Sequence, residues 1–99
     1  MSKRSFYFTT HALEEMDNDD LEIEDIMQIA EMGEIITSYP SDKPLPSKLV
    51  LGWIGKGKKQ PVHVVYAMDE QNRKHIITVY RPDSEIWDKK FRKKKNKKS

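Results

Sequence analysis

Cysteine is absent from the 99 residues, which excludes disulfide frameworks and thiolate metal sites. No apolar run approaches the roughly 20 residues needed to cross a bilayer. The basic start Met-Ser-Lys-Arg is not followed by an apolar region of signal-peptide length. A cytoplasmic protein with no membrane partner is the expectation. There is no Gly-x-Gly-x-x-Gly, P-loop or nucleophile elbow, and no His-x-x-x-His or His-Glu-x-x-His spacing. Neither a metal nor a cofactor is therefore expected. Glycine is scarce at four residues, and three of the five prolines crowd into positions 40–46. A chain of this length makes one small domain with one core.

Charge is abundant but unevenly spread. Residues 1–34 carry a net −8, residues 35–88 a net +2 and residues 89–99 a net +8. The acidic front, including Glu14, Asp17, Asp19 and Asp20, reads as a solvated face. Residues 1–88 form the expected domain. Residues 89–99 are too polar to fold alone and read as a disordered basic tail. Such a tail is either a solubilising end or a contact for a phosphate backbone.

Phe6-Tyr7-Phe8 is a short strand or a hydrophobic anchor. Thr9 or Thr10 suits a helix N-cap, with a first helix over His11–Met16 that ends at Asp17-Asn18-Asp19-Asp20. Ile23, Ile26, Met27 and Ala30 share one helical face, acidic residues favour the start of that helix, and Gly33 stops it. Strands are expected over 34–39 and 48–54, separated by the proline loop. Gly55-Lys-Gly-Lys-Lys-Gln60 is an exposed turn. Ile86, Trp87 and Phe91 form a last amphipathic turn that closes an end of the core.

The central stretch runs from Pro61 to Pro82. Two β-branched and aromatic runs flank a polar turn, the signature of a β-hairpin. Pairing Met68 with His75 sets Ala67 against Ile76, Val65 against Thr78 and His63 against Tyr80. Those last six residues then share one face. Val62, Val64, Tyr66, Ile77 and Val79 take the other. The expected fold is α+β: two N-terminal helices packed on one face of a four-stranded antiparallel sheet, the opposite face left for a ligand.

Thr10-His11-Ala12 leading to Met16, Ile26 to Ile36, Leu51-Gly52-Trp53, Pro61 to Val65, Ile77 to Pro82 and Trp87 together resemble the domain of unknown function 4258 family. That family is similar to small bacterial toxin ribonucleases of the RelE and barnase–colicin type. The resemblance implies a RelE-like fold and a metal-independent endoribonuclease of toxin type, or a derivative of one. RNA and a small antitoxin-like protein are the implied partners. Glu15 stands where the family pattern often has arginine, and Asn18-Asp19-Asp20 replaces a further arginine and glycine. Both changes remove cations that suit a developing phosphorane.

Metal-free RNA cleavage needs a base, an acid and groups that hold phosphate. His63 is the candidate base or acid, Tyr80 its partner, Thr78 a phosphate-positioning hydroxyl and His11 a fourth catalytic candidate. Each also has a plain structural role: His63 as a hydrogen-bonded strand histidine, Tyr80 closing the sheet edge, His11 starting a helix. His75, beside the turn, is expected to be exposed and inert. Lys56, Lys58, Lys59, Arg81, Arg92, Lys93 and Lys94 are the candidate nucleic-acid contacts. Trp53, Tyr66 and Trp87 are either base-stacking rings or core. The alternative function is a non-catalytic nucleic-acid-binding or protein-interaction module on the same fold. The sequence leaves the oligomeric state open.

Overall fold

The computed structural model describes residues 6–95. The chain runs β1 (Phe6–Phe8), α1 (Thr10–Asn18), α2 (Ile23–Met32), β2 (Glu34–Tyr39), β3 (Ser47–Ile54), a single 3-10 turn (Lys56–Lys58), β4 (Gln60–Met68) and β5 (Lys74–Tyr80). The sheet has five strands in the order β1-β5-β4-β3-β2. This corrects the four-stranded antiparallel expectation: β1 is a strand, and it pairs parallel to β5 through Phe6–Lys74, Tyr7–His75 and Phe8–Ile76. Three residues are too few to carry a periodic signal, and their pairing lies some 68 positions away in sequence.

Thr9 follows β1 and joins it to α1. Its hydroxyl accepts the Ala12 N–H at 3.0 Å, capping the helix, and donates to the Ile77 carbonyl at 3.1 Å. Ala12 and Met16 point from α1 into the core. In α2 the buried stripe is Ile26, Ile29 and Ala30. Ile23, expected on that face, is 44% exposed. The stripe is set by the approach of α2 to β3 at Gly52, where a β-carbon would run into the Ile29 side chain. Val50, Ile54, Val62, Val64, Tyr66, Ile76 and Val79 complete the core beneath the helices.

The hairpin register holds where the expectation placed its polar pair: His63 faces Tyr80 and Val65 faces Thr78. It then shifts by one between Val65 and Tyr66, so that Tyr66 faces Ile76 and Ala67 faces His75. The shift is a β-bulge on β5. It sends Ile76, not Ile77, into the helix-covered core, where Ile76 is fully buried and Ile77 is half-buried. A second irregularity falls between Ile35 and Thr37 in β2, an edge strand paired to β3 alone.

The C-terminal segment departs most from expectation. After β5 it turns back as a strap over the sheet face opposite the helices. Asp88 organises the turn: its carboxylate accepts the N–H groups of Lys90 (3.1 Å) and Arg92 (3.2 Å). Its own N–H donates to the Lys93 carbonyl at 2.9 Å. Trp87 bridges to Lys94, and Lys95 donates its N–H to Ile86. Order in the fold thus extends past 88 to at least Lys95. Residues 96–99 of the expected tail lie outside the described residues.

Candidate functional site

Alternation along β4 puts His63 on the face away from the helices, and register puts Tyr80 beside it. Their rings meet edge to face with centroids 5.1 Å apart. The Tyr80 hydroxyl lies 3.0 Å from Nδ1 of His63, and the Phe91 carbonyl lies 2.8 Å from Nε2. A carbonyl can only accept, so Nε2 carries the proton. Nδ1 of the neutral ring then accepts from the Tyr80 O–H. Trp87 stands over the imidazole at 4.4 Å, also edge to face.

His63 is consequently sealed, with 0% exposure. Burial holds its pKa below the ordinary value, although the bond to Phe91 pulls the other way. Burial, and then the charges of Tyr39 and Glu15, push the Tyr80 phenol up. Both ring nitrogens are occupied, so the imidazole takes no substrate proton while the strap is closed. On this face the imidazole is covered by Trp87 and Phe91 of the strap together with the Tyr80 ring.

Thr78 sits two residues before Tyr80 on the same face, opposite Val65. His11 is elsewhere. It begins the exposed side of α1, its side chain 62% exposed, and lies 3.3 Å from Glu15. The carboxylate of Glu15 accepts the Val79 N–H at 3.1 Å, capping β5 beyond the reach of β1. The fold therefore gathers His63, Tyr80 and Thr78 on one face and leaves His11 at the sheet edge. Glu15, read from sequence as a lost cation, is a carboxylate the β5 edge uses.

Lys56, Lys58 and Lys59 are exposed in the turn after Gly55, whose φ of 82° suits glycine. Lys93 and Lys94 are exposed on the strap, with the Lys94 ammonium 6.0 Å from the Trp87 ring. Arg92 spends its guanidinium on Glu34 at 3.0 Å, pinning the strap to β2. Arg81 donates twice to the Asp19 carbonyl at the end of α1 and once to Gln60. Trp53 is 38% exposed and meets Phe91 edge to face at 6.0 Å. Tyr66 and Trp87 are buried.

Sequence reasoning missed the surroundings of His75. Its Nε2 lies 2.9 Å from Asp69, and its ring stacks on Tyr7 at 5.2 Å and 24°. Asp69 also accepts from the Gln71 and Arg73 N–H groups and the Arg73 guanidinium. The His75 hydrogen bond first, then those donors, hold Asp69 far below the usual carboxylate range despite opposing desolvation. The available signal was the spacing Asp69-x-x-x-Arg73-x-His75 across a hairpin turn. Among the described residues, no three His, Asp or Glu side chains form a metal-holding group. No described helix is long and apolar enough to cross a membrane.

The chain matches the family described as a domain of unknown function, DUF4258, over residues 8–81, and it belongs to that family. No curated protein and no solved structure is significantly similar to it. The matched span holds both helices, β2 to β5 and the His63–Tyr80 pair, and it ends before the strap.

Proposed function

We propose that this domain binds single-stranded RNA, on a RelE-like scaffold of the toxin-ribonuclease type or one derived from it. The observation that carries the reading is the strap. It carries six of the chain's cations over residues 89–95, Arg92 being paired with Glu34, and its Phe91 meets Trp53, three residues before Lys56. The half-exposed Trp53 ring lies between the two basic segments, joined to one through Phe91 and to the other along the chain. Lysines that track a backbone beside an aromatic ring are the usual means of holding single strands. Unlike a disordered tail, a pinned strap offers those charges in fixed places. The test is fluorescence anisotropy of a labelled RNA oligonucleotide against salt. Affinity should fall steeply with salt and be stronger for a single strand than for a duplex of equal length. Salt-independent or absent binding at low ionic strength would sink the reading.

A second reading, cleavage, is favoured by the hydrogen-bonded His63–Tyr80 pair, whose imidazole meets Phe91 and Trp87 of the strap. Opening the strap would free Nε2 of His63 to act in proton transfer on RNA, with Tyr80 as its hydrogen-bonded partner and Thr78 alongside. Loosening the strap with Asp88→Ala should then raise ribonuclease activity, and adding His63→Ala should abolish it. Intact RNA with the loosened variant across pH 5–9 would exclude turnover.

A further inference from the structure

The far half of the same sheet face is roofed separately. There the 40–46 loop folds back so that the Asp42 carboxylate accepts from the buried Ser47 hydroxyl at 2.5 Å, and the Asp42 N–H donates to Tyr39 at 3.2 Å. Between this loop and the sheet is a cavity of about 390 Å³. Ala67 and Ile77 line it from the sheet, Pro44 and Leu45 from the loop, and Thr9, Asp42, Lys43 and His75 are its polar residues. The bulge on β5 makes it possible: without the register shift, Ile76 and not Ile77 would share this face, and His75 would not lie opposite Ala67.

We propose that this cavity receives one nucleobase of a bound single strand, an inference that rests on the RNA reading above. The volume sits at the small end of ligand sites, which suits a base rather than a larger cofactor. Apolar walls with few polar groups fit a flat heterocycle. Asp42 has used one acceptor position on Ser47 and keeps others, so it can accept from an exocyclic amino group. The carboxylate of Asp42 makes the cavity unsuited to a free phosphate. Behind the His75 wall, Tyr7 stacks on the His75 ring and Arg73 lies 5.6 Å over Tyr7, so an aromatic and cationic stack adjoins one lining residue. Splayed bases of single-stranded RNA are held by such stacking together with contacts to their edges. Strap and cavity occupy the two ends of β4: His63 and Ala67 are four residues apart, about 13 Å at strand rise.

The chemistry predicts a preference for bases that carry an amino group. Cytosine and uracil make the clean comparison, since they differ where one has a 4-amino donor and the other a 4-oxo acceptor. The experiment measures anisotropy of labelled C10 and U10 ribo-oligonucleotides. It is paired with NMR titration of the folded protein by cytidine, read at Ala67, His75 and Ile77. Wild type should prefer C10 by about tenfold, the equivalent of ~1.4 kcal/mol. Leu45→Trp, which fills the cavity from a loop position, should abolish the preference while leaving the salt dependence intact. Asp42→Asn, which keeps an acceptor for Ser47, should erase it as well. Equal affinity for C10 and U10, or a preference that survives Leu45→Trp, overturns the cavity assignment and leaves the RNA reading standing. Cytidine shifts at the three residues without oligonucleotide binding uphold the cavity as a base site and overturn the RNA reading. No binding of either probe overturns both.

Discussion

His63 shows how much one side chain's satisfaction decides. Its two nitrogens have one donor and one acceptor partner, and this arrangement needs the neutral ring. Folding with the strap closed therefore disfavours its protonation. The bound proton is weaker in the folded state than in the unfolded one, where the ordinary value is 6.5. The resulting stabilisation is complete above that value and is lost as pH falls below it towards the lowered folded pKa. Urea unfolding followed by tryptophan fluorescence should give a lower midpoint at pH 5 than at pH 7.5. His63→Gln should flatten that difference. Tyr80→Phe leaves Nδ1 of a buried ring without its donor, which costs about 1–3 kcal/mol. The same unfolding series measures it at pH 7.5, where the imidazole is neutral. The sequence suggested this pair through period-two alternation, but its register was an assumption: it holds at His63 and Tyr80 and fails beside the turn, the bulge making up the difference. It did not show the partner at Nε2, a backbone carbonyl 28 residues further on, which has no side-chain signature.

Among the elements, the join of α2 to β3 is the least tolerant. Gly33 and Gly52 are both approached too closely to admit a β-carbon, by Val50 and Ile29 respectively. Gly52→Ala should cost about 1–3 kcal/mol by overpacking, read as a lowered urea midpoint with an unchanged slope. The strap depends instead on Asp88. Burial alone would raise its pKa, but the N–H groups of Arg92, Lys90, Lys93 and Phe91 hold it down, so it stays ionised in mild acid. Asp88→Ala should unfasten the strap, red-shift tryptophan emission and expose the Phe91–Lys95 amides to faster hydrogen exchange. The helices, β2, β3 and the hairpin were legible because each carries its own period and stop signals. The strap was legible only in part: Trp87 and Phe91 were expected to close an end of the core, but the cationic run from Lys89 reads as solvated. β1 was one of two readings of Phe6–Phe8, but its place in the sheet was not legible, because three residues say nothing of a parallel partner. The bulge on β5 was hidden because Ile76 and Ile77 are the same residue type, and sequence alone cannot say which one turns inward.

At the scale of the whole molecule, charge is segregated. The acidic helices cover one face, while the lysine turn and the strap make the opposite end basic. The two meet where Asp25 and Gln28 of α2 line one surface recess with Trp53 and Lys58. Replacing Lys56, Lys58 and Lys59 together with alanine should lower the slope of log affinity against log salt by about 2, taking ~0.7 per single-strand phosphate contact. Folding should be unchanged, since all three are exposed and lie outside the core. The division into two roofed ends was only half legible. The charge of residues 89–95 was plain in the sequence, but its fixed seat was not, and the cavity under the proline loop depends on Asp42 reaching back to Ser47.

The outer margin of the sheet carries one more consequence. β2 is six residues long, apolar in part, and holds neither lysine nor proline to discourage a stranger from lining up along it. The slip around Ile36 interrupts its evenly spaced row of amides and carbonyls. A neighbouring strand thus finds no straight template along this margin on which to line up.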